Sequence, residues 1–222
     1  MNTYSRRSII ALSGIAALTT ASTSATSFRV GTPGRPLLSC GAVVGTPEIV
    51  HVESDIPFEQ AYIDTTIPYH RNAHRLAELN IDDLEDERLI EIANAILETY
   101  PDDIEQLEAF RKEWLGSEET EEPTQEMMLI SMGGLESCTD ESHMDFLDTE
   151  WVEDTWKKND DPLFAFVSML TLLMEFEHHQ HMVGVELAEH EELKEFCQRM
   201  IDVIEPQHET LKTIRGELIN RY

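Results

Sequence analysis

The chain is 222 residues long and 41% apolar, enough for a packed core in one or two small domains and too much for a disordered acidic tail. Its formal net charge is −28, from 44 Asp and Glu against 16 Lys and Arg, which excludes nucleic acid as a partner and leaves metal cations and cationic partners open. An acidic, lysine-poor surface suits very high salt, where screening removes self-repulsion, so a halophilic habitat is one expectation and an ordinary acidic exported protein the other.

Residues 1–25 have the three parts of an export signal: Arg6 and Arg7, a short apolar run from Ile9 to Leu18, and small residues ending near Ala25. The run is too short for a standard membrane span, and the adjacent arginines point to the twin-arginine route, which exports folded proteins. The expected location is periplasmic, cell-surface or extracellular. Residues 26–54 are rich in Gly, Pro and Ser and read as a linker. Cys40, Cys138 and Cys197 are too few for a disulfide framework; a Cys138–Cys197 pair is compatible with the sequence.

From Ile56 the apolar spacing is helical. A first helical hairpin is expected over 55–117, with helices near Pro57–Asn80 and Asp86–Leu115. An acidic connector follows over 118–159, with a short helix at Thr149–Lys157. Its Met127, Met128, Met132 and Met144 are read as packing under a loop. A second hairpin is expected over 160–222, one helix starting at Asp161 with Pro162 in its first turn and the other running from Glu191 to Asn220. Pro101 and Pro206 fall inside helices and predict a kink or break in each.

The two hairpins read as diverged copies. Laying residues 57–117 on 161–221 without gaps matches Tyr62 with Phe166, Leu89 with Leu193, Leu107 with Leu211, Arg111 with Arg215 and His74 with His178. One hairpin cannot bury its apolar stripe alone, so the expected fold is all-α, an antiparallel four-helix bundle built from two repeated hairpins.

Helical phasing places histidines on inward faces. One stripe is Ile63, Ile67, His70, His74 and Ala77; another runs Leu163, Val167, Leu170, Met174, His178, His181 and Val185; a third runs Leu193, Cys197, Met200, Ile204, His208 and Leu211. His179 falls off its stripe. The repeat register sets His74 opposite His178. Buried imidazoles without partners are costly, whereas neutral imidazole binds copper, zinc, iron and nickel. The candidate metal ligands are therefore His70, His74, Met174, His178, His181 and Met200. A His and Met set, with Cys197 nearby, suits copper; iron is the alternative, because Glu175 to His178 and Glu205 to His208 are both Glu-x-x-His pairs.

"FEQAYIDTTIPYHRNAHRLAEL" followed by "ANAILETYPDDIEQLEAFRKEW" resembles the exported helical-bundle family catalogued as domain of unknown function 305. Tyr62, Ile63, Asp64, Ile67, Pro68, His70, Ala73, Leu76 and Ala77 keep its first motif, and Trp114 keeps its closing tryptophan. Tyr69 and Thr65 stand where the family has a histidine and a methionine. The resemblance implies a ferritin-like fold, two tandem copies, and copper binding through His and Met in the periplasm. The expected function is copper sequestration or chaperoning, with a metal ion as partner and a homo-oligomer compatible; the metal donor or acceptor protein is not legible. The alternatives are a ferritin-like di-iron oxidase or oxygen-handling protein, and a structural or interaction bundle without metal. No nucleophile triad, phosphate loop or paired acid and base is visible, so a non-enzymatic role is preferred.

Overall fold

The computed structural model describes residues 48–139 and 141–221. The export signal at 1–25, Cys40 and most of the 26–54 linker lie outside the described residues. Every regular element among the described residues is helical: α1 (Phe58–Asn80), α2 (Glu87–Leu115), α3 (Gln125–Ser131), α4 (Glu141–Met144), α5 (Thr149–Lys157), α6 (Pro162–Leu187) and α7 (Glu191–Ile219), with single 3-10 turns between some of them. None of these helices is long and apolar enough to cross a membrane.

Local chemistry sets the helix ends. Asp86 caps α2 by accepting from the Arg88 N–H at 3.0 Å, and Asp161 caps α6 by accepting from the Phe164 N–H at 2.9 Å, with Pro162 in the first turn where its missing donor costs nothing. Gly116 ends α2 at φ 83°, a left-handed position that glycine takes without steric penalty. Of the kink or break expected at Pro101 and Pro206, a break is absent from both helices. Both prolines lie inside uninterrupted helices, as does Pro68 in α1. A proline removes one backbone hydrogen bond, and the packing of helices this long outweighs that loss.

α1 is the central element. It packs against α2, α3, α5 and α6, while α6 packs against α7. The connector explains why α1 is buried on nearly every side. Met127, Met128 and Met132 are buried, the Tyr69 hydroxyl donates to the Met128 sulfur at 3.7 Å, and Asn72 bridges to the Phe146 carbonyl at 2.8 Å and the Thr149 hydroxyl at 2.5 Å. The connector methionines thus pack against α1, as expected of soft, adaptable side chains.

Pairwise contacts fix the register. Asp64 meets Arg111 and Arg71 meets Glu108 between α1 and α2; Tyr62 meets His181 and His70 meets Glu177 between α1 and α6. In each pair one number rises as the other falls, so both pairs run antiparallel. Arg111 chelates the fully buried Asp64 carboxylate with two nitrogens, at 2.7 and 3.1 Å, and donates a third bond to the Ser117 carbonyl at 3.0 Å.

Two sequence expectations need correction. Cys138 is disulfide-bonded but Cys197 is a free, buried thiol, so these two cysteines do not pair. His74 does not face His178. With His70 opposite Glu177, the level opposite His74 is that of Leu173, more than a helical turn from His178.

Candidate functional site

The contacts between α1, α2, α6 and α7 enclose a cluster of polar side chains: Tyr62 and His70 from α1, Tyr100 from α2, Glu177 and His181 from α6, and Cys197 from α7. None is more than 1% exposed. The α6 face that supplies Glu177 and His181 also supplies Gly184. A Cβ built at 184 would land on the Cys197 sulfur and lie 3.1 Å from the Tyr62 ring, so only glycine lets α7 and Tyr62 approach this closely.

Two hydrogen-bonded arms meet here. In one, the Cys197 thiol donates to the Tyr62 oxygen at 3.2 Å, and that oxygen lies 2.5 Å from His181 Nδ1. In the other, the Tyr100 hydroxyl donates to Glu177 Oε2 at 2.9 Å, and Glu177 Oε1 lies 3.4 Å from His70 Nδ1. The His70 ring stacks on Tyr100 with centroids 4.4 Å apart and stands perpendicular to His181 at 6.1 Å. Phe196 packs beside both imidazoles, at 6.5 Å from His70 and 6.0 Å from His181.

Four polar atoms in this enclosure lack a hydrogen-bond partner: both ring nitrogens of His70, Nε2 of His181 and Oε1 of Glu177. Each buried, unsatisfied group costs about 1–3 kcal/mol. In His181 Nδ1 is bonded to the Tyr62 oxygen while Nε2 is unengaged, the arrangement by which a neighbouring group orients an imidazole for a metal; His70 Nδ1 stands 3.4 Å from Glu177 Oε1 without a hydrogen bond.

Burial controls the charge states. It drives His70 down to about 3, against the pull of the Thr66 carbonyl and helped by the Arg199 charge. It drives His181 well below the usual histidine range and raises Glu177 to about 8. The contact between His70 and Glu177 is therefore not an ion pair at neutral pH, because both partners are uncharged. Tyr62 and Tyr100 are held well above the ordinary phenol value, and the Cys197 thiol is pushed to about 12, again by burial.

These shifts predict a stability profile. Glu177 is raised from 4.5 to about 8, so its contribution is full below 4.5 and is lost as pH rises through 8. His70 is depressed from 6.5, so its contribution is full above 6.5 and is lost as pH falls. Between pH 6.5 and 8 only the Glu177 slope remains, up to about 1.4 kcal/mol per pH unit. Denaturant unfolding of metal-free protein should show that decline, and Glu177→Gln should flatten it; an unchanged slope in the variant would refute the assignment.

The structure gathers only part of the expected ligand set. His70 and His181 come together. Met174 and Met200 are buried, at 0% and 1% exposure, and the Met200 sulfur accepts from Arg199 at 3.6 Å. His74 stays partly exposed, 4.0 Å from Glu78 one turn along its own helix. His178 is partly exposed and feels the charges of Glu205 and Glu209 on α7. His179 lies outside the cluster, with its Nε2 3.2 Å from the Met132 carbonyl. Glu177, Tyr62 and Tyr100 are absent from the expected set. The available signal for Glu177 was its spacing of four from His181, which puts both on one helix face. Among the described residues no group of three or more His, Cys, Asp or Glu side chains is arranged to hold a metal ion.

A family model described as Domain of unknown function (DUF305) matches residues 59–216. No curated protein and no solved structure matches the chain.

Proposed function

The chain belongs to the family described as Domain of unknown function (DUF305), and from that premise we propose that it is an exported metal-binding protein that sequesters or chaperones copper at His70 and His181. The carrying observation is the pair of buried, partnerless Nε2 atoms on imidazoles whose Nδ1 atoms face Tyr62 and Glu177. A metal fits these residues, because an ion would satisfy atoms that otherwise cost stability in a dry interior.

The side chains divide the work. His181 would donate Nδ1–H to the Tyr62 oxygen when its Nε2 lone pair is needed, and the Cys197 thiol donates to the same oxygen. Glu177, braced by Tyr100, orients His70. Phe196 packs beside both imidazoles and helps exclude water. A bound copper ion would supply soft Lewis acidity and one-electron chemistry. The donor set supports copper over a pair of irons: the cluster holds one buried carboxylate, whereas a di-iron bundle site uses about four. Met174 and Met200 are both buried, and the Met200 sulfur accepts from Arg199. A disulfide at Cys138 is consistent with an oxidising compartment and so with export. The antiparallel registers support the finer reading of a ferritin-like four-helix bundle, with α1–α2 and α6–α7 as two tandem hairpins.

Untagged protein purified without chelators and loaded with copper should carry about one ion per chain. His74→Ala with His178→Ala should retain it, because neither residue joins the cluster. Loss of copper in that double variant, with copper kept on replacing His181, would overturn the assignment.

A further inference from the structure

On the side of α6 turned away from the histidine cluster, we infer that a cleft between α6 and α7 binds a small organic carboxylate. Glu175 and Glu177 are two residues apart on α6, about 200° around the helix, so the face that carries Glu175 looks away from the cluster. There Thr171 and Glu175 of α6 and His208, Lys212, Arg215 and Gly216 of α7 line a cavity of about 420 Å³, within the size range of small-molecule sites. Thr171 is buried at its floor, and Lys212 is exposed at its rim.

The first observation is charge. Acidic side chains outnumber basic ones 44 to 16 in the chain, yet this cavity sets two cations, Lys212 and Arg215, against one carboxylate, Glu175. Positions 208, 212 and 215 are spaced by four and three, so one face of α7 presents all three side chains together. Burial lowers the Arg215 guanidinium although the Glu175 charge pulls the other way, so the cleft gains from further negative charge. Lys212 also meets Glu209 at 2.6 Å, an exposed pair that is cheap to rearrange. A carboxylate only accepts hydrogen bonds, and its two oxygens match the planar fork of an arginine.

The second is an orphaned polar atom. His208 Nε2 is buried without a hydrogen-bond partner, and its ring lines the same cavity. A carboxylate oxygen would satisfy it in the tautomer that carries the proton on Nε2. The third is Gly216. It lies within α7, where only proline is less favourable than glycine. A Cβ there would meet nothing within 4 Å, so close packing does not explain the glycine. Its effect is to keep the cavity open beside Ile219, an apolar wall for the short hydrocarbon part of the ligand.

The test titrates the full chain with acetate, propionate and butyrate at constant ionic strength, followed by backbone amide NMR spectra, with chloride and phosphate as controls. Butyrate should shift the amides of Thr171, Gly216 and Ile219 saturably, and each added methylene should tighten binding about two- to fourfold. Lys212→Gln should weaken butyrate binding about tenfold. Gly216→Leu should abolish it and melt no lower than the native chain, because leucine fills the cleft and suits a helix better than glycine. If Gly216→Leu does not fold, the Lys212→Gln titration decides alone. Undiminished butyrate binding in either variant, or shifts that chloride reproduces, would overturn the site. Tighter binding of phosphate at the same amides would overturn the carboxylate assignment.

Discussion

Arg111→Ala should lower stability by about 3–5 kcal/mol, because it strands a fully buried carboxylate. In the native protein the guanidinium holds both Asp64 oxygens and also reaches the Ser117 carbonyl just beyond the end of α2. Removing it abandons a charge inside α1, where no water can reach, and frees the chain after Gly116. Asp64→Ala should cost a similar amount by leaving the buried Arg111 cation without its carboxylate. A domain of this size moves its melting point by about 2–4 °C per kcal/mol, so each variant should melt roughly 6–20 °C lower. The double variant Asp64→Leu, Arg111→Met should recover much of the loss, since replacing both members of a buried pair by apolar groups is often close to neutral. Thermal unfolding of the three variants checks this. Additive losses would show that the pair is not a unit.

Gly184→Ala should destabilise by about 1–3 kcal/mol through overpacking, and it should disturb the cluster as well as the fold. Its Cβ would overlap the Cys197 sulfur and crowd Tyr62, so the thiol must leave the Tyr62 oxygen or α6 must move away from α7. Cys197→Ala removes the clashing sulfur. The double variant Gly184→Ala, Cys197→Ala should therefore melt above Gly184→Ala alone, a coupling that residues without contact do not show. If the two changes simply add, the close approach of α6 and α7 at this point is not as described.

Much of the fold was legible because its signals are local. Asp161 with Pro162, Asp86, and Gly116 mark helix ends by hydrogen-bonding and φ preferences that act over a few residues. The short helix at Thr149–Lys157 was legible for the same reason. The site was only half legible. α7 alternates buried and exposed residues cleanly, so its stripe through Leu193, Cys197, Met200, Ile204 and Leu211 emerged from periodicity. α6 is buried on almost every side from Ala165 to Met174, so apolar spacing there has no phase to read. The chosen stripe began at Leu163, which is exposed, and it led to His178 instead of Glu177. α1 posed the same problem, because α3 and α5 cover the face that a two-hairpin picture leaves to solvent. That coverage hid the importance of Tyr62, whose ring the apolar pattern reads as ordinary core.

The contrast between His70 and His74 shows what tertiary register adds. The two lie one turn apart on α1, yet His70 is fully buried against Tyr100 and Glu177 while His74 reaches partly exposed space beside Glu78. The internal repeat favoured His74; packing favours His70.

The most direct measurement is an anomalous difference map, collected at the copper edge, from crystals of the full chain loaded with Cu(I). One strong peak is expected in the protein interior, within bonding distance of Nε2 of both His70 and His181. A peak at His74, His178 or His208, or no peak in the interior while copper remains bound, would contradict it.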